Sequence, residues 1–276
     1  MVSDSVPVQT VQKRDTDRIN PGMMLAFETL STGLFQEIAV PMSFARISAS
    51  IALLTALTMP AQAELTADVG IATEYLRDGI SETRGEYAAQ GGLTYIHDSG
   101  LYANAWASEL KHSDDAAHSE WDFSAGASRY LTDTLGVDVG LTRYTQHGDY
   151  EVKDKAYTEY FTRFFYNSEW VFGWRHSKAY LDSDFAKRSL ELSYTLHSGT
   201  FDFEFYTAQH RYLKTDDDFN FGSENRDNYW HFRIGANRTY NQYDYRLTLE
   251  RTNLPGDDYD AGTTFMFSIH RYFDLF

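Results

Sequence analysis

The chain has no cysteine among its 276 residues, and its basic residues are few. A protein exported through an oxidising compartment gains little from a thiol. Twenty-four Lys and Arg stand against 40 Asp and Glu, a formal net charge of −16. That balance argues against nucleic acid, whose phosphates demand basic surfaces. No apolar run reaches the roughly 20 residues that a membrane-spanning helix needs. G-x-S-x-G and H-E-x-x-H are both missing, so the sequence offers no motif for a serine hydrolase or a zinc protease. What is abundant is aromatic: 20 Tyr, 19 Phe and 5 Trp. Aromatic side chains concentrate where one end is apolar and the other wet, as at membrane interfaces.

The first 63 residues read as targeting rather than fold. Met42–Arg46 is a short basic start, Ile47–Met59 an uncharged apolar stretch, and Ala61-Gln62-Ala63 a small-residue cleavage site after Pro60. Basic, apolar and cleavage regions in that order make residues 42–63 a removable secretory signal peptide. Residues 1–41 precede it without strand alternation. They are expected to be an extension upstream of the true start or a disordered leader. Residues 64–276 then form one domain.

That domain alternates with period two, the mark of strands with two different faces. Leu65, Ala67, Val69, Ile71, Thr73 and Tyr75 share one face; Thr66, Asp68, Gly70, Ala72 and Glu74 share the other. The same pattern recurs in Leu135–Thr142, Ser189–Leu196, Phe201–Tyr206 and Tyr243–Glu250, with Trp170/Phe172/Trp174 and Trp230/Phe232/Ile234 as further apolar faces. The connections alternate as well. Leu76–Glu86, Lys111–Ser119, Thr145–Lys155, Lys178–Ala186, Tyr212–Arg226 and Asn253–Asp260 are long. His97–Gly100, Leu131–Thr134, Asn167–Ser168, His197–Thr200 and Tyr240–Gln242 are short. Loops sorted by length mean that the two ends of the strand set meet different surroundings. The expected fold is all-β: a closed antiparallel transmembrane β-barrel of about 12 strands, with short periplasmic turns and longer extracellular loops. Closure follows from hydrocarbon, where a free sheet edge costs several kcal/mol per unsatisfied group. A soluble barrel or sandwich, with its apolar face turned inward, is the competing architecture.

The segment Asp68–Leu110 carries a family pattern. It reads Tyr75-Leu-Arg77-Asp-Gly79-Ile80-Ser81, then Gly91-Gly92-Leu93, then Gly100-Leu-Tyr102-Ala-Asn-Ala-Trp106. It resembles the TorF family of outer-membrane proteins, classed as porins. The resemblance implies an outer-membrane barrel with a pore function and supplies no catalytic residues.

If the apolar faces meet lipid, the opposite faces line the interior. Asp68, Glu74, Asp122, Asp138, Glu159, Glu191, Asp202, Glu204, Asp244 and Glu250 fall there, with Arg163, Arg175, Arg233 and Arg246. Buried charges pair or stay hydrated. Acidic and basic tracks across a narrow lumen form a charge filter, and acids outnumber arginines ten to four in this set. Weak cation selectivity is expected of an open pore. A plugged interior, with these residues in a stabilising network, is the alternative, because barrels of about 8 strands fill themselves and those of 16–18 leave wide channels.

Other features carry less. Asp114-Asp115, Asp216–Asp218 and Asp257-Asp258 with Asp260 supply oxygen ligands of the kind that hold Ca²⁺ or Mg²⁺, or simply solvated loop tips. His176 and Ser177 are adjacent and so point to opposite faces; His231, Ser268 and His270 fall toward the interior. Trp170, Trp174 and Trp230 are better explained as belt residues than as a sugar platform. The reading is therefore a porin-like outer-membrane channel for passive diffusion of small hydrophilic solutes or ions, with no catalytic residue, metal or cofactor. Its expected partners are outer-membrane lipid and lipopolysaccharide, the periplasmic chaperones and barrel-assembly machinery, and its solutes. A non-conducting structural or adhesion barrel with acidic loops is the first alternative, and a lipid-acting barrel enzyme the second.

Overall fold

A computed structural model describes residues 63–111, 117–148, 156–182, 185–214, 226–256 and 260–275. The strands are β1 (Ala63–Ala72), β2 (Leu76–Arg77), β3 (Ile80–Ser81), β4 (Ala88–His97), β5 (Leu101–Glu109), β6 (Ala117–Tyr130), β7 (Leu135–Gly148), β8 (Ala156–Tyr166), β9 (Trp170–Ser177), β10 (Lys187–Ser198), β11 (Phe201–Tyr212), β12 (Asn228–Tyr240), β13 (Tyr243–Thr252) and β14 (Thr263–Asp274). Twelve of them close an antiparallel barrel, each paired with its sequence neighbour in the wall, and β1 seals the circle against β14. At the seam Ile71 lies opposite Ile269 on β14 and Ala89 on β4. Closure leaves no wall edge unpaired, the condition for sitting in hydrocarbon.

Local sequence sets the short turns. Asn167-Ser168 and Asn241-Gln242 have both residues at positive φ, 52° and 65° in the first and 52° and 68° in the second. This is the two-residue hairpin geometry whose twist matches the flanking strands, and asparagine tolerates it well.

The barrel is inside-out relative to a soluble protein. Val69, Leu93, Phe123, Leu141, Phe172, Leu192, Phe205, Phe232, Leu249 and Phe265 all point outward and exposed, while Asp122, Asp138, Glu159, Arg175, His210 and Glu250 are buried inside. A polar interior behind an apolar outer band is the arrangement of a membrane-spanning barrel. Aromatics border that band at both ends. Trp121, Tyr160, Trp174 and Trp230 face out toward the long connections; Tyr166, Trp170 and Tyr240 face out toward the short turns.

Residues 42–62 and Phe276 lie outside the described residues, as do Asp114-Asp115, Asp216–Asp218 and Asp257-Asp258. Ala63 is the first residue of β1 and lies opposite His97.

Candidate functional site

One expectation from alternation fails at the end of β1. Parity places Tyr75 on the lipid side, yet it is 2 % exposed inside the barrel. The strand ends at Ala72, and the parity of a strand does not extend past its ladder. Thr73 still holds β14 through its hydroxyl, which accepts from Phe267 N at 3.0 Å. Beyond it the chain leaves the wall and turns into the lumen.

There residues 76–81 form a second, two-stranded sheet. Leu76 lies opposite Ser81 and Arg77 opposite Ile80. The turn is Asp78-Gly79, with φ of 54° and 79°. Asp-Gly flanked by pairing residues is a strong short-range hairpin signal, because both central positions need positive φ. Gly79 is required twice over. A Cβ there would meet Thr252 Cγ2 at 2.6 Å and His231 Cδ2 at 2.7 Å.

This hairpin reaches across the interior. On the β6 side, Arg77 pairs with Glu82 and with Glu120, and Tyr75 donates to Glu120 Oε1 at 2.6 Å. The Tyr75 ring meets Trp106 edge-on at 5.3 Å. On the far side, the Asp78 carboxylate takes Arg175 Nη2 at 2.6 Å and the Lys187 ammonium. His210 Nδ1 stands 3.8 Å away, and Tyr229 donates its hydroxyl to the Asp78 carbonyl at 3.1 Å. Burial alone would push the Asp78 carboxyl up, but Arg175, His210 and Lys187 outweigh it and hold it well below the usual carboxylate range. Backbone bonds fasten the root: Glu82 N to Tyr75 O, Lys111 N to Glu82 O and Ser81 N to Asp260 O, each 2.8–2.9 Å.

Apolar packing completes the seat. Tyr144, Tyr157, Tyr180, Tyr212, Tyr229 and Leu254 form one buried cluster, with Ile80 of the hairpin against it. Tyr144 stacks on Tyr157 at 4.6 Å, and the Lys187 ammonium lies 3.9 Å from the Tyr180 ring centroid.

The interior residues expected from the sequence are brought together in groups. Arg175 joins three carboxylates: Asp78, Glu159 at 2.9 Å and Glu191 at 2.5 Å. Glu204 bridges Arg233 and Arg246. Glu250 accepts from His231 at 2.8 Å, and Asp68 meets His270 Nδ1 at 3.0 Å. Asp138 takes the Tyr102 hydroxyl at 2.8 Å, with Arg163 at 3.7 Å. Glu74 accepts from Gly85 N at 3.1 Å, and Asp122 is fully buried opposite Tyr144. Asp202 and Asp244 stand near the short turns, bonded to His197 at 2.8 Å and Thr239 at 3.0 Å.

Sequence reasoning overlooked Asp78, Glu120, Lys187 and the inward tyrosines. Parity carried a signal for most of them: Lys187 shares its face with Ser189 and Glu191, Glu120 with Asp122, and Tyr144 with Asp138 and Thr142. The residues Tyr75, Arg77, Gly79, Tyr102 and Trp106, which carried the family pattern, all lie on or against this interior assembly.

One serine–histidine contact bears on catalysis. Ser189 Oγ lies 2.7 Å from His210 Nδ1, and Asp78 approaches the same nitrogen. A nucleophile–base–acid relay uses opposite ring nitrogens, so the trio does not form one. His176 faces outward and Ser177 is buried inside, on opposite faces as adjacent strand residues must be.

No curated protein matches the chain in sequence. Among solved structures, the barrel is similar to a KdgM porin with a TM-score of 0.47 and 6% identity, over 75% of this chain and 99% of that one. OprD from Pseudomonas aeruginosa follows with 0.37 and 13%, over 77% and 67%. Acinetobacter baumannii OccAB3 gives 0.39 and 10%, over 79% and 66%. These likenesses are loose and say nothing of what this chain admits. Residues 58–253 match the family described as "Bacterial protein of unknown function (Gcw_chp)", and the chain belongs to that family.

Proposed function

We propose that the protein is a porin-like outer-membrane channel of the TorF type, exported through a cleaved signal peptide, that passes small hydrophilic solutes or ions by diffusion. One observation carries the reading. Charged side chains stand on the inward face at both ends, from Asp202 and Asp244 near the short turns to Glu120 and Lys187 near the long connections, between inward aromatics such as Tyr144 and Phe161. Twelve strands exceed the number that wall side chains fill alone, and this chain supplies its own hairpin to occupy the difference. The conducting path therefore runs where the hairpin sits, and conduction requires its release from Asp78's partners. The acid excess in the lumen favours cations.

The experiment is solute entry into liposomes containing the folded protein, with reversal potentials in a salt gradient. Entry of small solutes with cation preference, altered by Arg233→Ala, supports the reading. An anion preference contradicts the filter, and an inserted barrel that admits nothing even with Asp78→Ala contradicts the channel.

A second reading has its own support. The hairpin is held on both sides and its tip is 1 % exposed at Asp78, which suits a permanently plugged barrel that presents loops. That reading expects no conductance even after the Asp78 contacts are removed.

A further inference from the structure

The outer wall carries a basic row just beyond the aromatic belt on the long-connection side. Arg188 on β10 lies directly opposite Arg211 on β11 and, across its other edge, opposite His176 on β9. All three share the outward face with Leu190 and Trp174. Cross-strand neighbours of like charge destabilise a sheet, so an arginine pair on an exposed wall calls for an anion. Asp227 meets Arg211 at 2.6 Å. Among the described residues no carboxylate pairs with Arg188.

The height of the row names the anion. One wall position nearer the bilayer centre lie Trp174 opposite Leu190, and Gln209 opposite Trp230. Tryptophans of this kind sit at headgroup level. The row stands two residues farther out, about 7 Å along the strand, where lipid phosphates lie. Guanidinium forks match phosphate oxygens in paired hydrogen bonds. On β5 the outward residue at this end is Glu109, which accepts from Ala89 N at 3.0 Å.

We propose that His176, Arg188 and Arg211 form a site for the phosphate of an outer-leaflet glycolipid, with its acyl chains against the apolar wall below. The site rests on the outer-membrane reading and is independent of conduction. Its failure would leave a barrel that inserts normally but is indifferent to lipid phosphate.

The test is binding of bisphosphorylated lipid A to the purified full protein in mild detergent, measured by native mass spectrometry. Heat-modifiable migration verifies that each variant is folded. About tenfold weaker binding is expected for Arg188→Glu and for the milder Arg188→Gln. Arg238→Glu, an outward arginine at the short-turn end, should bind as the wild type does. Lipid A stripped of its phosphates should bind about tenfold more weakly, and inorganic phosphate alone should not bind measurably. Four results would each overturn the site: unchanged binding in both Arg188 variants, equal binding of dephosphorylated lipid, tight binding of free phosphate, or complete loss of the lipid on chelation of divalent ions. The last would assign the lipid to metal-bridged loop carboxylates.

Discussion

Toward the long connections, the interior holds Asp78, Lys187, His210 and Tyr229, each at most 1 % exposed. Toward the short turns Tyr102, Asp138 and Phe165 are buried on the β5–β8 side, while Asp202, Asn237, Asp244 and Tyr272 are half-buried. The wall follows the same alternation in both halves. The difference is the chain inside: the outer half receives the Asp78-Gly79 hairpin and the Tyr180 turn, and the other half receives nothing comparable among the described residues. A wall of this strand number leaves its polar face wet unless something enters the barrel, and here what enters comes from the first long connection. Occlusion is thus a property of the hairpin and its partners rather than of the wall.

Arg175→Ala should break the comparison most severely. It strips the guanidinium from the buried Asp78 and Glu159 and the half-buried Glu191, and unpairing buried charge costs about 3–5 kcal/mol. Thermal unfolding in detergent should fall sharply, with the hairpin released. Arg246→Ala in the other half leaves Glu204 still paired with Arg233. It should cost about 1.5–3 kcal/mol, the worth of one charged hydrogen bond. Equal losses would erase the difference between the halves.

Gly79→Ala comes next. Left-handed backbone costs a residue with a Cβ about 1–2 kcal/mol, and the contacts with Thr252 and His231 add to it. The hairpin should become cleavable by protease under conditions where the wall resists. Gly199→Ala also sits at positive φ, 63°, but in open space at a short turn. It should cost the backbone term alone and leave the hairpin protected.

A smaller effect is expected of Tyr229→Phe, which removes the bond to the Asp78 carbonyl. A loss of about 1 kcal/mol, read from thermal unfolding, would mark this contact as a trim rather than an anchor.

Acid should act gently. Asp78 has its carboxyl held well below the usual range in the folded protein. Its stabilising charge is therefore fully present above the unfolded value of about 3.9 and is lost only as pH falls through the lower folded value. Conductance should stay unchanged from neutral pH down to about 4. Opening already near pH 6 would mean that another group governs the hairpin.

The wall was legible because each strand repeats one physical rule. Leu190, Leu192 and Tyr194 outward against Ser189, Glu191 and Ser193 inward needs no tertiary knowledge. The short turns were legible from their length, and Asn167 and Asn241 suit their conformation. The lumen contents were less so. Tyr75 and Tyr229 were hidden by the habit of assigning tyrosine to the membrane interface, although Tyr229 has inward parity. Asp78-Gly79 did carry a hairpin signal, but it lies in a connection read for its length and its family resemblance. That Asp78 would meet Arg175 and Lys187, 97 and 109 residues away, depends on barrel closure, which no local pattern encodes.

The most direct measurement is single-channel conductance in a planar bilayer for the folded wild-type protein beside Asp78→Ala. If the hairpin closes an otherwise continuous polar path, the wild type is silent or opens rarely, and the variant shows frequent cation-preferring steps. Matching behaviour of the two, whether both silent or both open, would contradict the claim that the Asp78 contacts hold the channel shut.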